Sequence, residues 1–496
     1  MKRILLLILL TSIAGSDQVR LDSGEIRGLE ARGVKNYRGI PFAAPPVGEL
    51  RFRPPQPVTP WSGVRDCTRF GPACVQPDTN LIPTEKGPQS EDCLYLNVWT
   101  TAARGERRPV MVFIHGGGFA IGSGSRPTQD GSDLARQGVV VVTFNYRLGP
   151  FGFLAHPALS AESERGVSGN YGLLDQIAAL AWVKRNIAAF GGDPERVTIF
   201  GESAGGVSTG CLLVSPPARG LFHRVIMQSG TPLHLASLEE AERLGVDLLG
   251  AMSAKELRAM PAEKLLAAAS PRVGMFGNGS KLWPVIDGKV LPEPAEQALA
   301  ATDVPVMLGT NADEGTLFLR QLPIKRPAGY QWLVRKIFGP GAEQVLEAFP
   351  AETPEEVKPA LNRLITVAAF VVSARQVAQR LAQRSAPVFV YHLTRVSPGG
   401  VRNGMGAAHG VDVFYVFGTL PPGFTDQLDQ RVSQQMQAAW TQFAATGDPN
   451  TDGLPQWPRF TSQNEDYLEF GDRPRVGRHL EKDACELFER IGRPWD

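Results

Sequence analysis

The chain has 496 residues, of which 43% are hydrophobic, enough to bury a large core. Its 51 basic and 50 acidic residues nearly cancel, which argues against nucleic acid or an anionic membrane surface as the main partner. The 53 glycines and 40 prolines follow no collagen-like or low-complexity period and suit a loop-rich globular protein.

Residues 1–15 read as a secretory signal. Lys2 and Arg3 supply the charged start, residues 4–10 an apolar run, and Ser12-Ile13-Ala14 small residues for cleavage. The run is well short of the ~20 residues of a spanning helix, and no other spanning segment is visible. A secreted or periplasmic protein is therefore expected. Residues 18–28 alternate as a strand does, with Gly24 at a turn, and residues 36–48 carry too many prolines and glycines for long regular structure.

Five cysteines follow along the chain: Cys67, Cys74, Cys93, Cys211 and Cys485. Cys74 and Cys93 flank a polar, proline-containing stretch and are candidates for closing a loop. The odd count leaves at least one free thiol, and Cys211, in an apolar run, reads as a buried core residue. No Cys/His spacing suggests a metal, and no metal or organic cofactor is expected.

Residues 91–100 alternate as a half-buried strand. Residues 109–114 and 139–144 are continuous apolar runs that suit central strands buried on two faces. The first ends in His115-Gly116-Gly117-Gly118, a pattern found in the oxyanion loops of lipases and esterases. Its glycines let the backbone approach a substrate and aim bare N–H groups, so Gly117 and Gly118 are candidate donors.

A helix is expected from Asn170, a plausible cap, with apolar residues at Leu174, Ile177, Leu180, Ala181, Val183 and Ile187, and a stop near Gly191-Gly192-Asp193-Pro194. The strand after it runs into Gly201-Glu202-Ser203-Ala204-Gly205, which fits the G-x-S-x-G nucleophile elbow. A sharp strand-to-helix turn would project Ser203, while the Ala204 N–H opens the helix as a third oxyanion donor. Residues 221–228, 305–308 and 387–393 read as further strands, and 238–269 and 354–386 as helices. This alternation implies a largely parallel sheet with helices on both faces. Candidate catalytic residues fall at strand ends from His115 to His409, so one sheet must gather them and residues 16–496 read as one domain.

An activated serine needs a base and an acid, in the chain order serine, acid, histidine. Of seven histidines, His223 and His392 lie in apolar strand-like runs, and His234 and His479 lack a glycine-rich setting. His409 sits in Gly404-Met405-Gly406-Ala407-Ala408-His409-Gly410, whose small residues let a ring enter a crowded site. Between serine and histidine, the run 306–309 ends in a loop with Asp313 and Glu314 adjacent, and either could orient an imidazole.

Together these strings resemble the type-B carboxylesterase family, which includes the cholinesterases. The resemblance also covers Gly39-Ile40-Pro41-Phe42-Ala43, Glu91-Asp92-Cys93-Leu94-Tyr95-Leu96-Asn97, Asn145-Tyr146-Arg147, Phe190-Gly191-Gly192-Asp193-Pro194, Asp313-Glu314-Gly315, Gly447-Asp448-Pro449 and Trp457-Pro458. It implies an α/β-hydrolase fold and a secreted serine carboxylesterase acting on small-molecule esters through an acyl-serine. It favours Glu314 as the triad acid with Ser203 and His409. It further implies a Cys74–Cys93 disulfide with Cys67 as an extra thiol, ion pairs Arg51–Glu91 and Arg147–Asp175, and a buried polar network of Glu202, Ser229 and Asp412 behind the triad. The family also contains adhesion proteins that lost the serine, whereas this sequence keeps every triad member. Residues 75–92 carry no aromatic, so the quaternary-ammonium site of cholinesterases is not expected. The loops 233–283 and 317–334, which would set the acyl and alcohol pockets, give no reading, and Asn278-Gly279-Ser280 is a glycosylation sequon.

Overall fold

A computed structural model describes residues 18–79, 87–273 and 279–493. The signal segment and Asn278 of the sequon lie outside the described residues.

Among the described residues, eleven strands form the main sheet. From edge to edge they are Arg475–Arg478, Asp466–Phe470, Val388–Leu393, Val306–Asn311, Arg224–Gln228, Gly192–Glu202, Arg108–Ile114, Val140–Phe144, Tyr95–Thr100, Val34–Pro41 and Leu29–Ala31. The central strands pair in parallel, from Asp466–Phe470 across to Val140–Phe144, and the pairs at both margins are antiparallel. The expected parallel sheet is thus its middle.

The continuous apolar runs have their predicted cause. Along Arg108–Ile114, Val110, Val112 and Ile114 enter one core, and Met111 and Phe113 enter another. The first core holds Leu173 and Leu180 from the helix Tyr171–Asn186 and Val207 and Cys211 from Ala204–Val214. The second holds Met436, Trp440 and Phe443 from the helix Gln427–Thr446. Each strand is covered on both faces, so alternation disappears.

Several boundaries differ from expectation. The helical reading of 238–269 breaks into Leu238–Leu249, Ala254–Ala259 and Ala262–Ala269. Gly250 at φ 69°, a capping box from Ser253 to Glu256, and Pro261 supply the breaks. The long helix from Pro354 passes through a π-helical turn at Thr366–Val371 and ends at Leu381. By length and composition, Pro354–Leu381 is apolar enough to cross a membrane, yet 61% of its most apolar window is buried within the fold. The strand expected over 221–228 is confined to Arg224–Gln228. Asn170 stands at the N-terminus of its helix without capping it. Its amide is spent across the fold on Val285 and on Asp287 Oδ2, at 2.8–3.0 Å.

The implied cross-links form. Cys74 and Cys93 are disulfide-bonded, and Cys67, Cys211 and Cys485 are buried thiols. Arg51 meets Glu91 through Nε at 2.7 Å, and Arg147 grips Asp175 with two bonds of 2.7 and 2.8 Å. The hairpin Gln18–Arg20 and Glu25–Arg27 turns at Gly24.

Candidate active site

The strand Gly192–Glu202 stops at Ser203, whose φ of 57° and ψ of −123° are strained for a residue with a side chain. The helix Ala204–Val214 starts at once. A Cβ on Gly205 would collide with the Ile114 carbonyl oxygen, and one on Gly201 with the Gly205 backbone, so both elbow glycines are sterically required. Ser203 N–H donates to Gln228 O at 2.8 Å, fixing the turn to the next strand.

The glycine loop packs directly on this serine, since a Cβ on Gly116 would lie 3.0 Å from Ser203 Cβ. Gly117 and Gly118 have φ of 114° and 62°, and both line the cleft with Ala204. Among the described residues the N–H groups of Gly117, Gly118 and Ala204 meet no acceptor, so three bare donors remain around Ser203. His115 stays behind the loop. It stacks on Tyr146 at 4.4 Å, and burial pushes its imidazole down to about 3, so it is neutral.

The acid and base loops meet on the other side. Glu314, fully buried, accepts from Ser229 Oγ at 2.5 Å and from Asn311 N–H at 2.7 Å through Oε1. Its Oε2 lies 2.6 Å from His409 Nδ1. Asp313, the rival acid, points elsewhere: it takes the Ala407 N–H at 2.8 Å and Asn362 Nδ2 at 2.7 Å. The His409 ring is held between Phe318 and Phe370, with centroids 5.1 and 5.0 Å away. Its Nε2 stands 3.2 Å from Glu202 Oε1, and Ser203 Oγ makes no hydrogen bond among the described residues.

Burial raises the Glu202 carboxyl to about 8 against the pull of His409, so the two groups compete for a proton. At His409 burial pushes the imidazole down, and the neighbouring Glu202 and Glu314 carboxyls more than reverse this. Asp412 is raised by burial, though Gln228 Nε2, Tyr391 OH and Asn311 Nδ2 all donate to it. The expected network is therefore divided. Ser229 and Asp412 support Glu314 and its neighbour Asn311 from below, while Glu202 faces the other ring nitrogen of His409.

Ser203 and His409 open on a cleft of about 950 Å³ with walls that include Ile121, Val207, Leu233, Trp283 and Leu317. The loops without a sequence reading supply much of this lining. His234 also reaches the wall, 2.7 Å from an Arg493 nitrogen, while His223 and His392 serve backbone and strand contacts. Sequence reasoning missed Phe318, Phe370, Asn311 and Asp313's tie to the histidine loop. The one available signal was Phe318, a helical turn after Glu314; the π-helical turn that delivers Phe370 leaves no pattern. No group of three or more His, Cys, Asp or Glu placed to hold a metal occurs among the described residues.

A strained serine, an acid-bound imidazole and bare N–H groups converging on one cleft at strand ends define a hydrolase that works on acyl groups. The Carboxylesterase family profile matches residues 15–488. The chain is 41% identical to a fumonisin B1 esterase of Sphingopyxis macrogoltabida, across 92% of this chain and 87% of that protein. It is 39% identical to a para-nitrobenzyl esterase of Bacillus subtilis (strain 168), covering 90% and 93%. A Homo sapiens cocaine esterase is 36% identical over 94% and 88%. The chain belongs to the carboxylesterase family: it has the α/β-hydrolase fold and is a carboxylic ester hydrolase.

Proposed function

We propose that this esterase works through an acyl-serine formed on Ser203, with His409 as base and Glu314 as its acid partner. The observation that carries the reading is the 2.6 Å contact between Glu314 and His409 Nδ1 on the same cleft as the strained Ser203. Glu314 fixes the tautomer with Nδ1 protonated and Nε2 free to accept, and stabilises the imidazolium that forms. Glu202 and His409 compete for one proton, and Nε2 is free to accept while Glu202 holds it. Substrate binding then draws Nε2 from Glu202 to Ser203 Oγ, as catalytic hydrogen bonds tighten in the Michaelis complex.

Ser203 Oγ attacks the ester carbonyl while Nε2 takes its proton. The N–H groups of Gly117, Gly118 and Ala204 receive the oxyanion, each such donor being worth about 3 kcal/mol of barrier. The imidazolium returns its proton to the leaving alkoxide, and water, deprotonated by the same nitrogen, releases the acid. The relatives' names span fumonisin, para-nitrobenzyl, cocaine and pyrethroid substrates, so no single ester carries over.

A fluorophosphonate probe tests the mechanism. One equivalent should label wild-type protein at Ser203, and Ser203→Ala should take none and hydrolyse no ester while keeping its fold. Equal turnover by Ser203→Ala would sink the assignment. Export is part of the same proposal, supported by the pattern of residues 2–14 and by a disulfide suited to an oxidising compartment. Cell fractionation with N-terminal sequencing checks it; a full-length chain retained in the cytoplasm refutes it.

A further inference from the structure

Charge in the cleft is one-sided. Arg126, Arg272, Lys281 and Arg320 line it, against a single carboxyl among the described residues, Glu202, which faces His409. Arg272, Lys281 and Arg320 have no carboxylate within ion-pair distance among the described residues, and Arg272 Nε is buried without a hydrogen-bond partner. Backbone pairing holds two of them together: Arg272 N–H donates to Ser280 O at 2.7 Å, and Ser280 N–H to Ser270 O at 2.7 Å, so Arg272 and Lys281 leave neighbouring chain segments.

This pair stands beside the oxyanion loop. The Arg272 carbonyl lies 3.7 Å from the point where a Cβ on Gly118 would sit. The Lys281 ammonium lies 4.7 Å from the Trp283 ring, and Trp283 packs edge-on to Phe119, the residue after Gly118, at 5.3 Å. Surrounding protein, and then the Arg272 charge, lower the Lys281 pKa. Arg272 is half-buried and Lys281 exposed to the cleft solvent, so these two like charges repel across one wall and an anion between them would relieve that repulsion.

We infer that Arg272 and Lys281 form an anion subsite of the cleft, and that the preferred substrate is an ester that also carries a free carboxylate. This inference rests on the esterase reading above. The guanidinium offers a planar fork to both carboxylate oxygens and the lysine a point charge, so the carboxylate is held while the ester carbonyl reaches Ser203.

The test uses matched esters with the anion on either part: monoethyl adipate against ethyl hexanoate, and 4-acetoxybenzoate against phenyl acetate. Wild type should favour one anionic ester over its neutral partner in kcat/KM by about tenfold, the scale of one charge-assisted hydrogen bond. Which pair shows the preference identifies the acyl or the alcohol side. Arg272→Gln and Lys281→Gln should each erase most of that ratio, and Arg272→Lys should restore part of it. Wild type gives a second readout without any variant: added KCl should raise KM for the favoured anionic ester and leave its neutral partner unchanged. No preference in either pair, or a ratio unchanged in both Gln variants, overturns the anion subsite while the esterase reading stands. Wild type inert toward all four esters and unlabelled by fluorophosphonate overturns the esterase reading, and this inference with it.

Discussion

Asp313 Oδ2 accepts the Ala407 N–H at 2.8 Å, and the Asp313 N–H donates back to Ala407 O at 3.0 Å. This reciprocal pair joins the loop that carries Glu314 to the loop that carries His409. Two adjacent acids thus divide the work: Asp313 sets the distance between the loops, and Glu314 uses that distance to reach Nδ1. Asn362 Nδ2 holds the other Asp313 oxygen at 2.7 Å and fastens both loops to the helix Pro354–Ile365.

Glu314→Gln should therefore damage chemistry and Asp313→Asn should damage mainly stability. A glutamine at 314 disturbs the tautomer and the imidazolium, and kcat is expected to fall by about a thousandfold or more. Asparagine at 313 keeps one acceptor but turns an amide NH₂ toward a donor, a loss of about 1–3 kcal/mol. Steady-state kinetics and thermal midpoints of both variants check this. A larger kcat loss in Asp313→Asn would reassign the triad acid.

Glu202→Gln should change two pH profiles. The Glu202 carboxyl is one of the groups that hold a proton on His409. Without it His409 deprotonates at lower pH, so the acid limb of kcat/KM moves down the pH scale. For stability the sign follows from the folded carboxyl titrating at about 8 against an ordinary 4.5. Between those values the folded protein keeps a proton that the unfolded chain has released, so this group's contribution falls as pH rises through the window. Glutamine has no such proton, and the variant should gain on wild type in thermal midpoint as pH rises from about 4.5 to about 8. An acid limb shifted upward, or a stability difference moving the other way, contradicts the assignment.

How much of this was legible follows from where each constraint acts. The elbow was readable because its sterics are local: Gly201 and Gly205 are demanded within a few residues of Ser203. The central strands were readable because burial on two faces removes alternation, as in Arg108–Ile114. The position of His409 at the cleft was readable from its small neighbours. The choice between Asp313 and Glu314 was not a local matter, since each side chain finds its partner some 95 positions away. Nor could spacing show that Asn170 bonds to residues 285 and 287 instead of capping its helix. Phe370 is the extreme case, because its approach to His409 depends on a change of helical pitch inside one continuous apolar helix.

Arg147 and Asp175 make a pair for which removal of one partner should be worse than removal of both. Their side chains are 3% and 0% exposed. Asp175 is raised by burial against the opposing pull of Arg147, so it depends on that partner to stay ionised. Arg147→Met leaves a buried acid without its guanidinium and should cost about 3–5 kcal/mol. Arg147→Met with Asp175→Leu should recover much of this, as apolar replacements of buried pairs often do. Denaturant unfolding of the two variants measures it. Equal losses in both would show that the arginine's packing, and its bond to Arg53 O, matter more than the ion pair.

The Cys74–Cys93 bridge is tied to the glycine loop through one side chain. Gln76, two residues past the bridge, donates through Nε2 to Gly122 O at 3.0 Å and accepts the Gly122 N–H through Oε1 at 2.8 Å. Gly122 directly follows the turn in which Ala120 and Ile121 N–H groups bond back to Gly117 O. The bridged segment therefore clamps the far end of the oxyanion loop. Replacing both cysteines with serine should cost about 3 kcal/mol of stability in the chain-entropy account, the bonded residues being 19 apart. Gln76→Leu keeps the bridge but releases Gly122, so the donors at Gly117 and Gly118 lose their fixed aim. In the proposed mechanism those donors act chiefly on the tetrahedral oxyanion, so kcat should drop with little change in KM. The expected drop is about tenfold, smaller than loss of a whole donor because the N–H groups remain. Unaltered kcat in Gln76→Leu would separate the bridged segment from catalysis.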